Sequence, residues 1–190
     1  MESDRLEAFS DGVLAVIITI MVLELHIPHG TGLGSLAPFL PTFLVYVLSF
    51  VYVGIYWNNH HHLFKAVERI DGRAMWANLH LLFWLSLVPF VTGWLGENRF
   101  AAIPTAGYGV VLLMAGVAYD LLVLALVAGG RNPVLAEAVG SDFKGNLSIV
   151  CYLLAIGLAF VNRWLSDALF VLVALIWFVP DRRIERRLPR

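Results

Sequence analysis

The chain has 190 residues, of which 59% are hydrophobic and only 14% are charged, with a formal net charge of −1. Soluble domains average about 25% charged residues, so this balance excludes a soluble globular protein and places the chain in a membrane. The near-zero net charge gives no footprint for nucleic acid, and the single cysteine, Cys151, excludes a disulfide framework.

Six apolar stretches reach or approach the roughly 20 residues that a spanning helix needs. They run over 7–27, 38–63, 74–95, 104–128, 146–162 and 164–180. Glycine and proline punctuate the joints, at Pro28 with Gly30, at Gly72, Gly96 and Pro104, at Gly129 with Pro133, and at Pro180. The last two stretches are short and meet at Asn162-Arg163, which predicts an antiparallel hairpin. The amino terminus is acidic (Glu2, Asp4, Glu7) and does not read as a cleavable signal. No repeat is visible, so the reading is one all-α domain over 1–190.

The first stretch opens with a charged, hydroxyl-bearing heptad, Arg5 to Asp11, that runs straight into Gly12–Leu25. Ionisable groups entering lipid are costly without partners and are functional candidates by default. At 100° per residue, Gly12, Val16, Thr19 and Leu23 fall in one narrow stripe, with Ile20 at its edge. This stripe reads as the wall of an ion pathway. Glu24 lies just beyond it, near the outer mouth.

The second stretch ends Trp57-Asn58-Asn59-His60-His61-His62. Three adjacent histidines suggest zinc, but neighbouring helical residues point about 100° apart and do not converge on one ion. The favoured reading is that His60 or His61 satisfies buried polar groups on neighbouring helices. Trp57 packs on their face and His62 faces the cytoplasmic headgroups. The third stretch places Asn78 and His80 at the depth of Asp11 and His60. Arg5, Ser10, Asp11, His60 and Asn78 thus form one polar layer, stable only if its members satisfy one another. A structural clamp on the first helix is favoured over a proton relay. Pro89, in mid-span, predicts a bend.

Thr105-Ala106-Gly107-Tyr108-Gly109 is one letter from the T-V-G-Y-G potassium filter. That filter is a loop of stacked carbonyls, whereas Pro104 here reads as the first residue of a spanning helix. Asp120 sits deep in the fourth stretch, as a proton carrier or a packing group. No G-x-S-x-G, H-E-x-x-H or paired mid-membrane carboxylates occur, so the chain does not read as an enzyme, and no cofactor or metal is implied.

Of 13 basic residues, only Arg99 and Arg163 fall on one side of a six-span arrangement. Arg5, Lys65, Arg69, Arg73, Arg131, Lys144 and the tail arginines Arg182, Arg183, Arg186, Arg187 and Arg190 fall on the other. The bias makes both termini cytoplasmic, with the tail as an anchor to anionic lipid.

Arg5-x-x-x-Phe9-Ser10-Asp11 resembles the R-x-x-x-F-S-D signature of the transmembrane-protein-175 potassium channels. Agreement continues through Gly12-Val13, Thr19, Val22–Leu25, Tyr56-Trp57-x-x-His60-His61, Phe64, Asn78-Leu79, Pro89-Phe90 and Tyr108. The resemblance implies six transmembrane helices and, for one such unit, a homotetramer in the bacterial plasma membrane. It also implies a pore lined by the first helix, with Val16, Thr19, Ile20 and Leu23 as constricting residues. The family's innermost pore position is often Ile or Leu; Val16 makes a wider inner ring. The expected function is a passive potassium-permeable cation channel closed by dewetting of a hydrophobic constriction. A proton-coupled transporter using Asp120, Asp11 and the histidines is the alternative, although such transporters usually show internal repeats and broken helices. A membrane scaffold without transport is the third reading.

Overall fold

The computed structural model describes residues 3–67, 70–130, 132, 133, 135 and 143–178. The expected tail anchor, with Arg69 and Arg131, lies outside the described residues. Among those described there is no strand, and seven α-helices make six passes. They are α1 (Ser3–Leu23), α2 (Leu40–Lys65), α3 (Gly72–Ser86), α4 (Val88–Glu97), α5 (Ala102–Val127), α6 (Phe143–Leu158) and α7 (Arg163–Phe178). A 3₁₀ segment, Leu33–Phe39, leads into α2.

Four passes, with α3 and α4 counted as one, are long and apolar enough to cross a bilayer. The helices α6 and α7 have 16 described residues each, a rise of about 24 Å at 1.5 Å per residue. They form the expected hairpin, turning at Ala159–Asn162, where Asn162 Oδ1 accepts from the Trp164 amide at 3.1 Å.

The boundaries move from expectation in ways that local chemistry explains. The first helix begins at Ser3 and ends at Leu23, earlier at both ends than predicted. Leaving Glu24–Pro28 outside the helix spares Pro28 a place inside it. Pro104 is the third residue of α5 rather than the first; its missing N–H still falls in the first turn, where amides have no helical partner. Pro89 interrupts its span for one residue, Leu87, which stays in the αR region and separates α3 from α4. Tyr108 lies inside α5, fully buried, so the filter-like pentapeptide is helix and not a loop.

Lipid tails are as apolar as leucine, so helices in a membrane associate through close packing and interhelical hydrogen bonds. Both are present. A buried hydroxyl chain ties three helices: Thr92 of α4 pairs with Ser49 of α2 at 2.7 Å, and Ser49 pairs with Tyr108 of α5 at 3.0 Å. Tyr52 donates to the Phe170 carbonyl at 2.6 Å, and Ser166 to that of Ala155 at 2.8 Å. The helix α5 forms the centre of this packing, touching α3, α4, α6 and α7.

The helices α2 and α4 meet backbone to backbone at Gly96. A Cβ there would sit 2.5 Å from the Thr42 Cα. Gly96→Val is therefore expected to cost about 1–3 kcal/mol by overpacking, seen as a lowered thermal midpoint in detergent. An unchanged midpoint would mean that this contact is soft.

Candidate functional site

The first helix has two faces with different neighbours. Leu6, Ser10, Leu14, Ile17 and Met21, spaced four, four, three and four residues, are all buried against the subunit. The helices α2, α3 and α4 cover them. The stripe of Gly12, Val16, Thr19 and Leu23 turns the other way and is exposed on the lone subunit. Val16 is 56% exposed, Ile20 42% and Leu23 76%. Thr19 is the hydroxyl on that stripe, and its Oγ1 donates to the Ala15 carbonyl at 2.9 Å. Its proton thus committed, the hydroxyl offers its lone pairs outward. Leu23 is the last helical residue, and Glu24 follows it, exposed.

Near its amino end α1 is fastened by two different devices. The first is buried. Asn78 of α3 donates from Nδ2 to Ser10 Oγ at 2.9 Å, and its Oδ1 pairs with His60 Nε2 of α2 at 2.8 Å. An amide oxygen only accepts, so His60 carries its proton on Nε2. Ser10 in turn donates to the Leu6 carbonyl at 2.9 Å. One asparagine thereby joins α1, α2 and α3, and all three side chains are almost wholly buried.

The second device is partly exposed and runs along the α1–α2 seam. Trp57 Nε1 donates to Asp11 Oδ1 at 3.0 Å, and His61 Nδ1 meets Glu7 Oε1 at 2.5 Å. Glu7 and Asp11 lie one turn apart on α1, as Trp57 and His61 do on α2, so the pairs form two rungs of a ladder. The Trp57 and His61 rings stack at 6.0 Å. Trp57→Phe keeps the ring and removes one hydrogen bond, an expected loss of about 0.5–1.5 kcal/mol in thermal stability. No measurable loss would assign the rung to solvent.

The expected polar layer is thus split and differently populated. Phe9 is exposed beside it, 52% accessible. Arg5 does not join it: it stands exposed, and among the described residues it makes no ion pair within the subunit. Five residues from Ser10, it sits about 140° around the helix from the buried face. Glu7, which the sequence reading passed over, takes the place at the seam; its spacing of four from Asp11 was the available signal. His62 does not simply face headgroups, because its ring is half-buried with Nδ1 out of reach of solvent. His80 pairs locally, accepting from Trp84 Nε1 at 2.9 Å. The histidines diverge to separate partners, and no group of three metal-ligating side chains gathers among the described residues.

The sequence profile of the endosomal/lysosomal potassium channel TMEM175 matches residues 5–89, which hold both faces of α1 and both fastenings. A potassium channel of Chryseobacterium sp. (strain P1-3) is 53% identical over 189 residues, covering 99% of this chain and 98% of that protein. This chain belongs to the TMEM175 family. A potassium channel of Streptomyces collinus is 35% identical over 93% of this chain and 91% of its own length. The crystal structure of a lysosomal potassium-selective channel TMEM175 homolog from Chamaesiphon minutus superposes with a TM-score of 0.82 at 29% identity, covering 94% of this chain and 97% of that one. The six-pass arrangement of α1 to α7 is that of the TMEM175 channel fold, in a multi-pass membrane protein.

Proposed function

We propose that this TMEM175 protein is a potassium-permeable cation channel, a single domain over 1–190 that assembles as a homotetramer in the plasma membrane with cytoplasmic termini. The observation that carries the reading is the exposed α1 stripe, which a lone subunit leaves uncovered opposite its buried face. The potassium channels of Chryseobacterium and Streptomyces, similar over almost their whole length, support the activity.

Four α1 helices around an axis place Val16, Thr19, Ile20 and Leu23 on the pathway. Thr19 hydroxyl lone pairs are then the side-chain oxygens available to a permeating ion. Rings of Val, Ile and Leu do not replace a hydration shell, so closure is by dewetting of the narrow apolar section. Gly12 widens the inner approach. Four copies of Glu24 at the outer mouth raise the local cation concentration. The buried Ser10–Asn78–His60 links and the Asp11–Trp57 and Glu7–His61 rungs hold the rotation of α1, keeping the stripe on the axis. The activity requires no cofactor and no bond chemistry, so the protein acts without being an enzyme.

The test is ion flux from liposomes containing purified protein, comparing potassium, caesium, sodium and protons. Potassium efflux down its gradient, with modest preference over sodium, is the expected result. A proton gradient that drives uphill potassium movement would instead establish a carrier, and no flux would establish a scaffold.

A further inference from the structure

Arg99 and Arg163 are the basic residues that six passes leave on the membrane face opposite the amino terminus. Arg99 lies in the turn after α4, and Arg163 opens α7. The structure brings these turns together, with the Phe100 and Trp164 rings 5.8 Å apart between centroids. The Arg163 guanidinium lies over the Trp164 ring at 5.2 Å. Both arginines are exposed, and among the described residues neither makes an ion pair. Glu97, close to Arg99 in the chain, is engaged by His26 at 3.8 Å. Asp167, one turn along α7, stays beyond ion-pair distance of Arg163, and its Oδ2 is enclosed without a hydrogen-bond partner.

Deeper in the membrane the same face of α7 is apolar. A groove of about 370 Å³ runs between α2 and α7, walled by Leu44, Val47 and Val51 on one side and by Val171, Leu175 and Phe178 on the other. At 100° per residue, Trp164 stands within about 20° of Val171 and Leu175 around the helix, and Arg163 within about 60° of Phe178 and about 80° of Val171. At 1.5 Å per residue, Arg163 lies about 12 Å nearer the membrane face than Val171. The headgroup zone is about 5–8 Å thick on each side of the hydrocarbon. A phosphate held at Arg163 therefore places its own hydrocarbon beside Val171, inside the groove.

Any lipid tail covers an apolar surface; the cations above this one choose the headgroup. A guanidinium is a planar fork of donors that matches phosphate oxygens two at a time, and tryptophan settles at headgroup level. We propose that the α2–α7 face binds one anionic phospholipid, its phosphate on Arg163 and one acyl chain in the groove. Arg99, on the adjoining turn, adds to the positive field. Charge complementarity sets the class: a zwitterionic headgroup brings a cation of its own to these two arginines, whereas an anionic one does not. The bound lipid lies against α2 and α7, which also pack on each other.

The test is photo-crosslinking of the intact protein in nanodiscs, with adducts mapped by peptide mass spectrometry. The probes are phosphatidylglycerol and phosphatidylcholine, each carrying a diazirine in the same acyl chain and present at the same fraction. Adducts on the groove residues of α2 and α7 are expected to be about tenfold more abundant with the glycerol headgroup, the scale of one charge-assisted contact. Arg163→Gln should bring the two probes to equal yield in the groove. Arg73→Gln, which removes an exposed charge at the other membrane face, should leave the groove ratio as it was. Equal yields from the two probes in the unaltered protein would overturn the proposal whether or not the variants fold. So would a ratio that Arg163→Gln leaves unchanged. Absence of groove adducts with either probe would also overturn it, and would assign the face to a second copy of the chain.

Discussion

Leu23→Ala is expected to raise potassium flux through the reconstituted protein about tenfold, equivalent to lowering the entry barrier by about 1.4 kcal/mol. Leu23 is 76% exposed on the lone subunit and is the last helical residue of α1. Nothing within the subunit packs on it strongly enough for the change to act through folding. In the proposed tetramer the substitution removes isobutyl groups from four sides of one ring at once. A wider ring is easier to wet, and wetting limits conduction in an apolar constriction. Leu33→Ala is the matched control: Leu33 is 88% exposed but lies on the 3₁₀ segment, off the stripe. Its flux should equal that of the unaltered protein. Unchanged flux in Leu23→Ala would remove Leu23 from the pathway, and equal increases in both variants would point to a general loosening.

Asn78→Leu is expected to be the most damaging single change to the fold. It deletes both the donor to Ser10 and the acceptor for His60; Ser10 keeps its bond to the Leu6 carbonyl, whereas the His60 Nε2–H is left unpaired in an apolar, fully enclosed place. Each buried group left unpaired costs about 1–3 kcal/mol. At a shift of about 2–4 °C per kcal/mol for a chain of this size, the thermal midpoint in detergent should fall by about 5–20 °C. Ser10→Ala removes the bonds to Asn78 and to the Leu6 carbonyl but leaves the Asn78–His60 pair intact, and should cost less. Asn78→Asp tests the direction of the bonds, since a carboxylate accepts from His60 but cannot donate to Ser10 while ionised. It should fall between the two. Equal midpoints for Asn78→Leu and the unaltered protein would mean that α1 is held by the Trp57 and His61 rungs alone.

Much of this arrangement was legible in the residue order, and the failures are instructive. The Ser10–Asn78–His60 group was readable because polar residues in an apolar span must find each other, and these three shared a depth. Arg5 was assigned to the same group on depth alone; its direction around the helix decides otherwise. Glu7 and His61 were separable from Ser10 and His60 only once the α1–α2 contact was known, because either histidine satisfies the same spacing. Tyr52, Tyr119 and Tyr152 escaped notice, and Tyr56 and Tyr108 entered only as letters of motifs. Tyr52, Tyr56, Tyr108, Tyr119 and Tyr152 are scattered over three helices, and nothing in their spacing announces that Tyr108 seals a hydroxyl chain while Tyr56 faces a gap beside Gly116.

By itself the sequence determined that the chain lives in a membrane, that it crosses in six passes with a bend at Pro89, and that α1 carries one stripe of Gly12, Val16, Thr19 and Leu23 at helical spacing. Those properties depend on composition and on the turn of a single helix. Only the tertiary structure decided which stripe of α1 is covered, which histidine meets which partner, and where a cavity remains. The reason is that lipid and protein interior are equally apolar. An aliphatic side chain carries no mark of which of the two it faces, and that is settled only by the helices that come to lie beside it.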